Sequence, residues 1–124
     1  MKYSITVHEF SFNKIKSGSR KIGVHLLDKK AQQVKLHDIL EMQNSATGEK
    51  LECEVIGMAI FDNFDDLVDA VTPQALGYHD KEEIMIRLNR IYPVELQKEL
   101  NPVGFFIKVL PEKVNVKQRS EKER

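Results

Sequence analysis

Eight Lys and Arg residues fall within the first 37 positions: Lys2, Lys14, Lys16, Arg20, Lys21, Lys29, Lys30 and Lys35, against only Glu9 and Asp28. Phosphate attraction requires little more than clustered cations, so this segment directs attention to an anionic partner. The remainder compensates. Residues 1–37 carry a net +6, residues 38–83 a net −10 and residues 84–124 a net +4, and the chain is formally neutral. Such segregation describes a polar molecule with one basic face, or simply a surface kept solvated. The sequence shows no Arg-rich tract and no aromatic residues interleaved with the cations, so modest nucleic-acid affinity is expected.

Other chemistries find little support. His8, His25, His37 and His79 are scattered, with no pair at helical spacing, and the only cysteine is Cys53. No metal site and no cofactor are expected, and an internal disulfide is impossible. Cys53 reads as a small half-buried strand residue. Gly18-Ser19-Arg20-Lys21 faintly resembles a phosphate loop but lacks the glycines and the preceding strand, and there is no Rossmann pattern.

The elements that must position these residues belong to one modest core. A chain of 124 residues with 41% hydrophobic content suits a single domain. No apolar run approaches the roughly 20 residues that span a bilayer. The N-terminus does not read as a secretory signal, so a cytoplasmic location and no membrane partner are expected.

Ser4 to His8 reads as a strand and Glu9 to Ser17 as a short helix, with Phe12 and Ile15 on one face and Gly18 at its end. In Arg20 to Leu27, Ile22, Val24 and Leu26 alternate with Lys21, Gly23 and His25. That predicts a strand with one buried face and one face left for water or a ligand. Asp28 to Lys35 reads as a polar loop, leading through Val34–Asp38 to a strand at Ile39–Gln43. Ser45-Ala46-Thr47-Gly48 is a hairpin turn. Leu51 to Phe61 is a long strand that Gly57 bends with a bulge.

Asn63 caps a helix carrying Phe64, Leu67 and Val68. Thr72-Pro73 opens a turn ending near Gly77. Asp80 to Glu83 fits a capping box for a helix to about Ile91, with Ile84, Leu88 and Ile91 buried. Pro93 begins one more helical turn through Gln97. Gly104 to Leu110 is the last strand, with at least one of Phe105 and Phe106 in the core. Residues 112–124 read as a disordered charged tail after a domain at 1–111. A strand-rich core with short helices gives an α+β fold.

The ordered pieces resemble the ASCH domain of the PUA-like superfamily over about residues 3–110. The carriers are Ile15 to Lys30, with Gly18-Ser19-Arg20-Lys21-Ile22-Gly23-Val24-His25-Leu26 at its centre, then Val34 to Leu40, Asn63 to Leu67, and Ile91-Tyr92-Pro93-Val94-Glu95. The family signature places Lys, Glu and Arg where this chain has Arg20 (or Lys21 one register on), Gly23 and His25. The glycine of its Gly-Asp pair is His37 here.

The resemblance implies a small PUA-like β-barrel with short helices at its ends. It further implies RNA or a nucleotide as partner, held in a cleft rimmed by Arg20, Lys21, His25, Lys29, Lys30 and Lys35. Tyr92 and Glu95 either pack a helix start on the barrel or contact the cleft. A first alternative is a hydrolase acting on RNA or a modified nucleoside. The acetylcytidine amidohydrolase branch needs a lysine and a threonine where this chain has Arg20 and Gly23, and a guanidinium does not give up its proton. The ribonuclease branch would rest on His25 with Lys21. A second is a protein-interaction domain docking through the acidic 38–83 segment. The balance leans away from catalysis.

Overall fold

A computed structural model describes residues 1–111; the tail expected at 112–124 lies outside the described residues. Five strands form one mixed sheet: β1 (Lys2–Val7), β2 (Ile22–Leu26), β3 (Ile39–Asn44), β4 (Lys50–Ile60) and β5 (Pro102–Val109), in the order β1-β3-β4-β5-β2. β1 runs parallel to β3; the other pairings are antiparallel. The sheet curls into a half-barrel, an α+β arrangement with short helices, and β1 and β2 are its two edges.

Gly57 bends the long strand as its position predicts. The β4–β5 register shifts between Val55 and Gly57, which leaves Ile56 as the extra, exposed residue of a bulge.

Two apolar cores lie on opposite faces of the sheet. The inner one packs α1 (Glu9–Ser17) through Phe12 and Ile15 against Leu40, Met42, Val55 and Phe105. The outer one packs α3 (Phe64–Val71) and α4 (Lys81–Ile91) against Ile22, Val24 and Leu26 of β2. β2 is therefore packed on both sides, with His25 on its inner face left half-buried. Of the two expectations for its Gly23 face, water or a ligand, open water does not apply: Gly23 is buried there, while His25 is half-buried and faces a cavity. β5 divides in the same way, with Phe105 in the inner core and Phe106 packed on the outer one.

Asp28 to Lys35 is not an open loop. Asp28 Oδ1 accepts the Ala31 N–H at 2.9 Å and caps a five-residue helix, α2 (Lys29–Gln33), whose Ala31 enters the inner core. Asn63 caps α3 likewise, its Oδ1 accepting from Asp66 N–H at 2.8 Å. Asn63→Ala is expected to cost about 1 kcal/mol in urea unfolding, because it strands one first-turn donor of the helix that covers β2. The capping box of α4 is half-formed. Asp80 accepts from Glu83 N–H, but the Glu83 carboxylate accepts from His79 N–H instead of that of Asp80. A last helix, α5 (Val94–Glu99), leads into β5. No helix of the described residues is long and apolar enough to cross a membrane.

Candidate functional site

The seam between the edge strands is a cleft with two lobes. The larger, about 390 Å³, lies between Ile5 and Thr6 of β1, His25 and Leu26 of β2, α2 and the α5 region. The smaller, about 200 Å³, lies between Thr6 to His8 and Gly23 to His25, with Arg20 and Arg87 in its wall. Thr6, His25 and Tyr92 line both.

Arg20 is inside the protein, not on its rim: it is 6% exposed. Its Nε donates to the Ile22 carbonyl at 2.7 Å and its Nη1 to the Ser11 hydroxyl at 2.8 Å. Among the described residues no carboxylate forms an ion pair with it. Burial lowers its affinity for the proton, yet a guanidinium keeps its charge at neutral pH. A buried cation without a counter-ion costs several kcal/mol unless an anion arrives.

His25 stands beside it on the inner face of β2, its ring 5.7 Å from that of Phe105. Nε2 is sealed from solvent and has no hydrogen-bond partner. Burial, then the neighbouring Arg20 charge, pushes the imidazole down to about 4, with Asp28 opposing. His25 is thus neutral at pH 7, with one ring nitrogen still to satisfy. Gly23 makes room for it: a Cβ there would lie 3.3 Å from His25 Nε2 and 3.5 Å from Met42 Cε.

Tyr92 ends α4 and closes the seam. Its hydroxyl donates to the Val24 carbonyl of edge strand β2 at 3.0 Å, and its ring stacks on Phe64 at 5.5 Å. Burial pushes the phenol up to about 12, so it is a permanent donor. Lys30 lines the larger lobe and donates to the Ser4 carbonyl of β1 at 2.7 Å, tying α2 to the opposite edge.

The structure brings together Arg20, His25, Lys30 and Tyr92. Lys21, Lys29, Lys35 and Glu95 are exposed and line neither lobe. The His25–Lys21 pair needed for acid–base cleavage is therefore not assembled in the cleft. Sequence reasoning missed Arg87, Tyr78 and Ser11 in the smaller lobe, because they come from α4, the turn before it and α1. Only the resemblance singled out Tyr92.

No protein-family model matches the sequence, and no curated protein matches it. Solved structures do match in three dimensions. The crystal structure of hypothetical protein PH0355 superposes with a TM-score of 0.80 at 26% identity, over 89% of this chain and all of that one. The solution structure of protein PF0455 from Pyrococcus furiosus gives 0.69 at 24%, over 90% of this chain and all of that one. The ASCH domain from Lactobacillus crispatus JV V101 gives 0.62 at 10%, over 87% of this chain and 79% of that one. The fold is that of an ASCH-like domain.

Within this ASCH-like domain the altered signature positions have structural readings. His37, at the position of the signature glycine, holds φ +74°, a left-handed backbone that glycine adopts without strain. It donates its N–H to the Val55 carbonyl at 2.7 Å and contacts Glu54 Oε2 through Nδ1, also at 2.7 Å. Asp38 then accepts the Lys35 N–H and receives the N-terminal ammonium, fixing the entry to β3. Gly23 and His25 are a matched pair, since the imidazole occupies the space a side chain at 23 would need.

Proposed function

We propose that this ASCH-like domain binds RNA or a nucleotide, taking one nucleotide unit into the seam cleft. The observation that carries the reading is Arg20, a buried cation in the cleft wall with no carboxylate partner among the described residues. Removed from water, a guanidinium is matched best by phosphate, which it grips with two parallel hydrogen bonds. The neighbouring lobe suits a base. Its volume falls in the range of small-molecule sites, its walls include Leu26, Val34, Leu96 and Phe105, and a few polar groups converge in it. The Asp28 carboxylate and Thr6, both in the wall of that lobe, offer polar partners for a base edge. The fold of the Lactobacillus crispatus ASCH domain supports the same reading.

The test is fluorescence anisotropy of the full chain with short labelled single-stranded and hairpin RNAs at two salt concentrations. Unlabelled mononucleotide serves as competitor, and the same samples are run on a gel. Saturable, salt-weakened binding that mononucleotide competes away, with the RNA intact, is the expected result. No binding at low salt removes the reading. Cleavage lost in His25→Ala would replace it with a ribonuclease.

A further inference from the structure

A third groove, of about 230 Å³, opens on the outer side of α1 and α4, lined by Phe10, Tyr78, Glu83, Ile86, Arg87 and Arg90. Tyr78 and Arg87 belong both to it and to the Arg20 lobe, so the two cavities adjoin through shared walls. Phe10 is 39% exposed although it is a phenylalanine on a short helix, and Ile86 beside it is 50% exposed. The Phe10 ring is held rather than loose. Tyr78 packs against it at 5.2 Å, Lys14 Nζ lies 4.9 Å from its centroid, and Arg87 Cζ lies 5.5 Å away.

The charge is one-sided. Among the described residues Lys14, Arg87 and Arg90 form no ion pair. The groove's one carboxylate, Glu83, accepts the His79 N–H at 3.0 Å. Lys14 and Arg87 lie over the ring in cation–π contact and cover part of it, while the rest of the ring stays exposed beside cations that form no ion pair; single-stranded nucleic acids rest on such a pairing of aromatic surface for bases and cations for phosphates.

We propose that this groove is a second subsite for a single-stranded nucleic acid. It would take the nucleotide adjacent to the one in the seam cleft, with the base packed on Phe10 and Ile86 and the linking phosphate between Arg87 and Arg90. The inference rests on the cleft reading above and extends it from one nucleotide to a strand with a direction across the surface. The occupant is nucleic acid rather than an acidic peptide because an exposed ring serves a base, whereas a carboxylate chain needs only the cations.

The experiment compares the full chain's affinity for each of the four mononucleotides with that for labelled trinucleotides, as RNA and as DNA. Trinucleotide is expected to bind about ten-fold more tightly than mononucleotide. Phe10→Ala should bring trinucleotide down to the mononucleotide level without changing mononucleotide binding, and Phe10→Tyr should keep the gain. Arg90→Ala should lower the salt slope of trinucleotide binding by about one. Equal gains for RNA and DNA, or a gain for RNA alone, both support the subsite and tell whether the 2′-hydroxyl is read.

The subsite alone is overturned if mononucleotide binds as expected while Phe10→Ala and Arg90→Ala leave trinucleotide affinity and salt slope intact. It is also overturned if a poly-glutamate peptide displaces trinucleotide as well as unlabelled trinucleotide does. Failure of mononucleotide and trinucleotide alike removes the cleft reading, and the subsite with it.

Discussion

Arg20→Met is expected to bind mononucleotide about 100-fold more weakly than the wild-type chain, the scale on which removing one partner of a buried charged contact acts. The same variant should unfold at an equal or higher urea concentration, by up to about 2 kcal/mol. Two terms decide the sign. The substitution gives up the hydrogen bonds to the Ile22 carbonyl and the Ser11 hydroxyl, each worth roughly 1.5–3 kcal/mol when the donor is charged. It also removes a buried cation that no carboxylate among the described residues neutralises, and its desolvation costs several kcal/mol. Met keeps most of the volume, so no large cavity opens. If Arg20 served only the fold, the outcome would reverse: stability would drop and no ligand affinity would be lost. Urea unfolding and nucleotide titration on one preparation separate the two. Arg20→Lys should fall between, because it keeps the charge and loses the planar fork.

The second large effect is a loss of stability in mild acid that belongs to His25. Its folded-state value of about 4 lies below the 6.5 of a free imidazole. Between those values the unfolded chain binds a proton that the folded chain refuses. Stability is therefore fully present above pH 6.5, falls as the pH drops toward 4, and levels off below. A displacement of this size corresponds to about 3 kcal/mol. The charged groups around the ring act in opposite senses: Arg20 deepens the shift, Asp28 opposes it, and burial is the largest cause. Lys30 and Tyr92 share the cleft, and the Tyr92 phenol stays protonated throughout this range.

Urea unfolding of wild type and His25→Phe at intervals from pH 7 to pH 4 tests this directly. The difference between the two curves isolates the imidazole from the carboxylates that titrate over part of the same range. Equal slopes would show that Nε2 finds a partner in solution. Saturating nucleotide should flatten the wild-type slope, because a phosphate beside Arg20 raises the imidazole's affinity for its proton. This links the two predictions through one cleft.

Strand and helix positions were legible in the sequence wherever local physics dominates. Gly18 takes the left-handed end of α1, Asn63 and Asp80 cap α3 and α4, and Gly57 sits at the bulge of β4. Each depends on a residue's own backbone freedom or on a hydrogen bond within three positions. The alternation of Ile22, Val24 and Leu26 placed one face of β2 correctly. Its other face could be read only as left for water or a ligand, because packing of Gly23 and His25 against Met42 and Phe105, with a cavity beside them, is set by distant segments.

The site divides along the same line. The resemblance pointed to Arg20, His25 and Tyr92, and the fold brings all three into the wall of one cleft. The sequence did not determine what each does, because burial and pairing are set by chain segments far apart. Arg20 was read as a rim cation and is an interior one, held by Ser11 of α1. Lys21, Lys29 and Lys35 share its charge but stand in solvent. Phe10, Tyr78, Arg87 and Arg90 are separated by up to 80 positions, so no interleaved pattern of aromatics and cations appears along the chain. Folding α4 against α1 supplies that pattern. Short-range hydrogen bonding and periodicity are written in the sequence. Which charges lose their water, and which are left without a partner, is decided only when β1, β2, α1 and α4 meet.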